Sequence, residues 1–387
     1  MIGFRNYKAE QISFSSGINV IIGENGQGKT NLLEAIYYLS GAKSFRTRFD
    51  KELMGLQAEY AKLSASIYAE ERTQNIQILL TRGRKKELFI NDVKQKKQSD
   101  LSGKACVVLF SPEDLTLVKG GASERRRFMD FSISQMRPKY AVWLSEFHRL
   151  YEHKTRILKD SAEKPSLLET LDDFNYHLAK AGAQLIYYRA AFLKKLSLYA
   201  GKIHADFSGG KESLALHYET VKEVSDPNER PQVLLEGLLK QQERLKNAEI
   251  DAKMCLAGVQ KDDISVLIDD MPARAFASQG QTRTAALSMK LAERDIIFDD
   301  CGAYPILLLD DVLSELDAAR QDYVLNRIVD GQVFITCCEE SEITKRTGGM
   351  VFEICEGSLL RKVEGDHYVS SPGDGNNRAA GRDLGNF

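Results

Sequence analysis

Gly23-Glu24-Asn25-Gly26-Gln27-Gly28-Lys29-Thr30 and the acid pair Asp310-Asp311 bracket most of the chain, with Lys29 and Asp310 281 positions apart. The first segment has the G-x-x-x-x-G-K-[ST] spacing of a phosphate-binding loop. The second follows the apolar run Ile306-Leu307-Leu308-Leu309, as an acid at the end of a buried strand does. A compact P-loop kinase or GTPase brings two such pieces together within about one domain length. Here something must fold out between them. A third motif, Ser278-Gln279-Gly280-Gln281, precedes the acids. This order points to an ATPase whose site is completed by a second copy of the chain, with nucleotide held between two heads.

The chain has 387 residues, room for two or three domains around a sizeable core. At 43% hydrophobic and 28% charged residues it reads as an ordinary globular protein. No apolar run reaches the roughly 18–20 residues of a membrane span, and Met1 to Tyr7 lacks the basic-then-apolar pattern of a secretory signal. Cys106, Cys255, Cys301, Cys337, Cys338 and Cys355 show no C-x-x-C spacing and lie mostly in apolar stretches. Reduced, buried thiols in a cytoplasmic protein, with no zinc site, are therefore predicted. The net charge of −2 gives the whole molecule no attraction for polyanions, so nucleic-acid binding would need local basic patches.

Residues 18–22 form a short β-type run into Gly23, and 31–40 read as a helix. Strand, glycine loop and helix are the context in which a P-loop motif counts. Further strands are predicted at 61–69, 75–81, 87–90 and 106–110, as an antiparallel sheet beside the nucleotide core. The period then becomes helical. Tyr140, Leu144, Phe147, Tyr151 and Leu158 share one face. Leu171, Phe174, Leu178, Ala181, Leu185, Tyr188 and Phe192 recur by threes and fours in a helix predicted over 167–204, about 57 Å long at 1.5 Å per residue. Either an antiparallel coiled-coil-like pair or a plain helical bundle fits this periodicity. The expected organisation is α/β: a nucleotide-binding head from 1–115 and 271–365, an inserted helical arm over 116–270, and a disordered tail over 366–387.

Within the P-loop, Gly23, Gly26 and Gly28 let the backbone turn its N–H groups inward, with Glu24, Asn25 and Gln27 completing the cradle. Lys29 would reach the β- and γ-phosphates of ATP, and Thr30 would ligate Mg²⁺. Asp310 is placed to hold the same cation, and Asp311 to act as general base or to orient water. Ser278, ahead of a helix predicted over 282–300, is a helix N-cap in any reading. With Gln279, Gly280 and Gln281 it also makes a second anion-binding helix start, open to a partner's γ-phosphate, with Arg283 able to support that charge. Ser314-Glu315-Leu316-Asp317 resembles the D-loop that crosses the dimer interface in ABC-type ATPases.

Several segments resemble, in order and wording, the RecF family of bacterial DNA replication and repair ATPases, relatives of SMC heads. They are Phe4-Arg5-Asn6-Tyr7, the P-loop through Ile36, Lys43-Ser44-Phe45-Arg46, Phe110 to Leu115, Glu124 to Phe128, Ala277 to Thr284 and Leu308 to Asp317. The resemblance implies an ABC-type P-loop ATPase head (lobe I) with an inserted α-helical lobe II. It also implies ATP-dependent homodimerisation, DNA binding, slow hydrolysis, and work with RecO and RecR in loading RecA during repair and the SOS response. Lys29, Asp310 and Asp311 would be catalytic, and Asp317 would join the nucleotide contacts. The chain departs from the family at Glu152-His153-Lys154-Thr155-Arg156 and begins a few residues short of its usual first strand. Thr336-Cys337-Cys338 carries no histidine of the kind transporters place near the γ-phosphate. The rival classes are a transporter-type ATPase subunit, a structural SMC-like head and a P-loop small-molecule kinase, the last opposed by the 281-position gap.

Two basic runs could meet DNA phosphates: Arg82, Arg84, Lys85 and Lys86 between two predicted strands, and Lys94, Lys96 and Lys97 after another. Binding there would be salt-sensitive and independent of sequence. Arg125-Arg126-Arg127 is a further candidate, or else a structural cluster paired with nearby acids.

Overall fold

Val107–Phe110, Ile306–Leu309, Val333–Cys337 and Ile18–Ile22 are mostly apolar and buried on both faces, as strands of a sheet covered on both sides are. In the computed structural model, which describes residues 1–69, 72–338 and 347–364, these four strands pair in parallel. The sheet runs Ser358–Glu364, Met350–Cys355, Ile18–Ile22, Val333–Cys337, Ile306–Leu309, Val107–Phe110, and only its first pair is antiparallel. The strand expected at 106–110 thus leaves the antiparallel sheet and lies beside the acid-bearing strand, with Leu309 opposite Phe110. Its four buried residues would have been half exposed in the other position. Gly23, Ser111, Asp310 and Cys338 all follow the carboxyl ends of parallel strands, the edge at which open α/β sheets bind ligands.

A second, antiparallel sheet contains Tyr7–Ala9, Ile2–Phe4, Tyr60–Ala69, Arg72–Thr81, Glu87–Ile90 and Val93–Gln95 in that order. Its alternate side chains Leu63, Ile76, Ile78, Leu80 and Leu88 are buried with Ala35, Tyr38 and Leu39 of the helix Lys29–Gly41. The nucleotide helix is thereby clamped between the two sheets.

Helices Ala122–Met136, Pro138–Asp160, Leu171–Ser208 and Pro231–Ala252 follow, with a small sheet of Leu214–Glu219, Asp263–Ile268 and Met271–Pro272. The heptad positions Leu171, Leu178, Ala181, Leu185 and Phe192 are buried. The long helix packs against Pro138–Asp160, Pro231–Ala252 and Gln279–Cys301 together, so the arrangement is a bundle and not an isolated pair. A single apolar cluster runs from this bundle to Leu307, Leu309 and Ile335 of the nucleotide sheet. The tail expected at 366–387 lies outside the described residues. Among them, no helix is long and apolar enough to cross a membrane.

Buried charges lock the bundle. Arg189, 3% exposed, donates to Asp130 (2.8 Å), Asp262 (2.8 Å) and the Val259 carbonyl (3.1 Å). Burial raises the Asp262 carboxyl, while Arg189, Tyr218 and Thr220 oppose that shift. Arg189→Met would leave Asp262 buried without its counter-charge, an expected loss of about 3–5 kcal/mol read as a lower urea midpoint. An unchanged midpoint would remove this network from the account of stability. The thiols correct the sequence reading: Cys255 is buried, but Cys106, Cys337 and Cys355 are half-buried and Cys301 and Cys338 are exposed. Apolar neighbours in sequence do not bury a residue at a helix or strand end.

Candidate functional site

The P-loop is shaped by glycines where no side chain fits. A Cβ on Gly23 would lie 2.3 Å from the Ile354 carbonyl, and one on Gly28 2.8 Å from the Asn6 amide. Both residues, with Gly26, have positive φ. The loop is tied from behind by residues distant in sequence. Asn6 donates to the Gln27 carbonyl (2.9 Å), Tyr7 to the Gly28 carbonyl (3.0 Å), and the backbone N–H of Gly357 to the Gln27 carbonyl (2.8 Å). Glu356 donates its N–H to the Gln27 side chain (2.6 Å). Lys29 is 4% exposed, and its ammonium turns back to the carbonyls of Gly23 (2.6 Å) and Glu24 (3.1 Å).

The two halves separated in sequence meet here. Thr30 Oγ1 donates to Asp310 Oδ1 at 3.0 Å, and Thr336 Oγ1 to the same oxygen at 2.9 Å. Burial pushes the Asp310 carboxyl above its ordinary range, against the two hydroxyl hydrogen bonds. A hydroxyl and a buried carboxylate form an oxygen set suited to a hard divalent cation, whose charge would offset that burial. Asp311 adopts a left-handed conformation (φ 53°) and donates its N–H to Thr336 Oγ1 at 2.9 Å. Thr336 is thus a member of the site that sequence reading missed, having been considered only for the absence of a histidine nearby. Cys338 lies at the loop's rim, its thiol donating to Asn25 Oδ1 at 3.3 Å.

A buried carboxylate braces the nucleotide helix. Glu34, fully buried, accepts two 2.8 Å bonds from Arg5 and one of 2.5 Å from Ser44. Arg46 joins at 3.7 Å and reaches Asn31 at 2.7 Å. The Phe4–Tyr7 and Lys43–Arg46 segments therefore serve as scaffold for the P-loop, a role their sequence did not disclose.

Ser278 caps the helix Gln279–Cys301 as expected. Its hydroxyl accepts from the Gln281 N–H, and the Gln281 side chain accepts from the Ser278 N–H at 2.9 Å. Ser278, Gln279 and Gly280 are exposed. Among the described residues no hydrogen bond joins this turn to residues 23–30, so the structure does not bring the two motifs together within one chain. Arg283 points to the Glu315 carboxylate (3.4 Å) of the D-loop-like segment. Asp317 caps the helix Ala318–Arg327 and pairs with Arg320.

Of the basic candidates, several already have partners. Arg82 holds the carbonyls of Leu56 and Ala58 at 2.9 Å, Lys86 the Ala42 carbonyl and Asp50, and Lys94 pairs with Glu87. Arg84, Lys85, Lys96 and Lys97 are exposed. Strand register, with Leu79 opposite Glu87 and Leu88 opposite Gln95, puts both basic runs at one end of the sheet. Arg125, Arg126 and Arg127 all have protein partners, in Asp263, the Asp262 carbonyl and the Ser44 carbonyl, although Arg127 stays exposed, so this cluster is structural.

Residues 1–353 match the model of the RecF/RecN/SMC N terminal domain. The DNA replication and repair protein RecF of Alkaliphilus oremlandii is 40% identical over 336 residues, covering 87% of this chain and 91% of that one. The chain belongs to the RecF family. RecF of Bacillus subtilis is 38% identical over 366 residues, covering 93% and 98%. A solved structure described as the recombination mediator protein RecF-ATPrS in RecFOR pathway superposes with a TM-score of 0.85 at 32% identity, covering 92% and 95%. An SMC head bound to the C-winged helix domain of ScpA (TM-score 0.52, 16% identity, covering 94% and 95%) shares the fold alone. The fold is that of an ABC-type ATPase head, and the relatives favour RecF over a transporter subunit or a structural SMC head.

Proposed function

We propose that this RecF-family chain is an ATP-dependent DNA-binding ATPase of recombinational repair and replication, in which two copies close over nucleotide and hold DNA while closed. The observation that carries this reading is the junction of Thr30 with Asp310, which unites the phosphate and cation residues, while Ser278 stays exposed and apart. A site with its anion-binding helix start facing outward is complete only when a second copy supplies that start.

ATP would sit on Gly23 to Thr30, and Mg²⁺ would be held by Thr30 and Asp310. A cation held there would neutralise phosphate charge during transfer to water. Lys29 leaves its loop carbonyls to meet the terminal phosphates, and Asp311 orients the attacking water. Asp317, beside the exposed Glu315, would meet the partner at the joint, and Gln279 to Gln281 would flank its nucleotide. The exposed Arg84, Lys85, Lys96 and Lys97 are the favoured phosphate contacts for gapped or junction DNA, with Arg82, Lys86 and Lys94 shaping their loops. We assign residues 1–115 and 271–365 to lobe I and 116–270 to lobe II. Slow turnover would release DNA, and RecO, RecR and RecA are the partners that the family implies.

Anisotropy of a labelled gapped duplex tests this reading. Binding at least ~10-fold tighter in Mg-ATP than in Mg-ADP, about 1.4 kcal/mol, is expected. Ser278→Arg should abolish the difference while leaving nucleotide binding intact. By linkage, DNA should tighten ATP by the same factor. Equal binding in both nucleotides would overturn the gated reading.

A further inference from the structure

We infer that Lys119 is a positioning residue for the Ser278 turn, joining it to the strand beside Asp310. The assignment rests on the reading of Ser278 as a contact to a second copy. Three carbonyls immediately before Ser278 converge on one ammonium: Lys119 Nζ donates to Ala273 at 3.0 Å, Arg274 at 3.3 Å and Ala277 at 2.7 Å. These lie on the short turn Ala273–Phe276 and its exit, a helical carboxyl end where a cation is favoured, and the Ala273 carbonyl also accepts from the Ala277 N–H at 3.0 Å. Ala273 is in the core and Gln281 reaches the Glu212 carboxylate at 2.9 Å, but the surface between these anchors is open. Residues 274–276 and 278–280 are exposed, and Phe276 is 65% exposed.

The other end of the Lys119 segment lies at the nucleotide site. The Asp310 N–H donates to the Phe110 carbonyl at 2.9 Å. From Ser111 the chain is braced at several points. Asp114 accepts from the Ser111 N–H (2.7 Å), Leu117 and Val118 are buried, and Arg125 holds the carbonyls of Leu117 (3.3 Å) and Gly120 (2.9 Å). Arg125 is fixed in turn by Asp263. The Gly120 N–H closes this turn on the Thr116 carbonyl at 2.8 Å, so tightly that a Cβ on Gly120 would lie 2.5 Å from the same oxygen. The acid-bearing strand and the helix start offered to the partner therefore share a stiff connection nine residues long, from Ser111 to Lys119. Its last link is an ammonium that meets no residue of the P-loop.

The test separates nucleotide binding from dimerisation in Lys119→Met and Lys119→Arg. Lys119→Met keeps the stem length and removes the charge. Lys119→Arg keeps the charge and can span two of the carbonyls. Affinity for a fluorescent ATP analogue is measured at dilute protein, and ATP-driven dimerisation by sedimentation of the full chain. Lys119→Met should bind nucleotide within about twofold of wild type and dimerise at least ~10-fold more weakly, and Lys119→Arg should recover most of the dimer. A Lys119→Met chain that dimerises like wild type, or that loses nucleotide and dimer in equal measure, would overturn the assignment. A wild-type chain that stays monomeric in ATP would instead sink the dimer reading on which it rests.

Discussion

Lys29→Ala should lower affinity for ATP by at least ~100-fold, about 2.7 kcal/mol, and abolish any ATP-driven dimer. The ammonium is buried in the loop and already spans two of its carbonyls, so its charge is where phosphate oxygens would replace them. Bonds from a cation to phosphate are about twice as strong as neutral ones. Alanine removes that charge without disturbing the helix, because alanine is the strongest helix former. Equilibrium binding of a fluorescent ATP analogue reads the affinity, and sedimentation reads the dimer. Survival of the ATP-induced dimer in this variant would refute the assignment of the loop.

Asp311→Asn should slow hydrolysis by about 10²–10³-fold, in the range of a lost general base, with ATP affinity retained. The closed dimer would then accumulate with uncleaved nucleotide. Asparagine is the informative substitution because Asp311 is left-handed, a conformation that asparagine tolerates and alanine does not. Its N–H to Thr336 survives the change, so the loop keeps its shape and only the carboxylate charge is lost. Single-turnover hydrolysis measures the effect. Wild-type turnover would take Asp311 out of its role and leave Asp310 as the acid that matters.

The nucleotide loop and its acids were legible because their signals are local. A strand, a glycine turn and a helix start are set by neighbouring residues, as is the Ser278 cap, whose partner Gln281 is three positions on. The long helix was legible for the same reason. What failed was pairing between distant segments. Nothing local in Val107–Phe110 says that its neighbour is Ile306–Leu309 and not the antiparallel sheet. The direction of Arg125 depends on Asp263, 138 positions later, so the sequence left a run of arginines open as a DNA patch beside the structural reading. Thr336 escaped because a threonine after a strand has no signature until Asp310 and Thr30 stand beside it.

The scaffold behind the P-loop has a consequence for how the chain is born. The strand Ile18–Ile22 is flanked by Val333–Cys337 and Met350–Cys355, and Gln27 is anchored by Glu356 and Gly357. Such contacts close loops of more than three hundred residues, the slowest kind to form. Residues 23–30 leave the ribosome early, then wait on the order of tens of seconds of synthesis, at about 5–20 residues per second, for the strands that shape them. The first motif to be translated is among the last to become a site. A chain not yet extended past Gly357 thus carries the phosphate-binding sequence without the scaffold that shapes it, and ATP meets a formed loop only once those residues are in place.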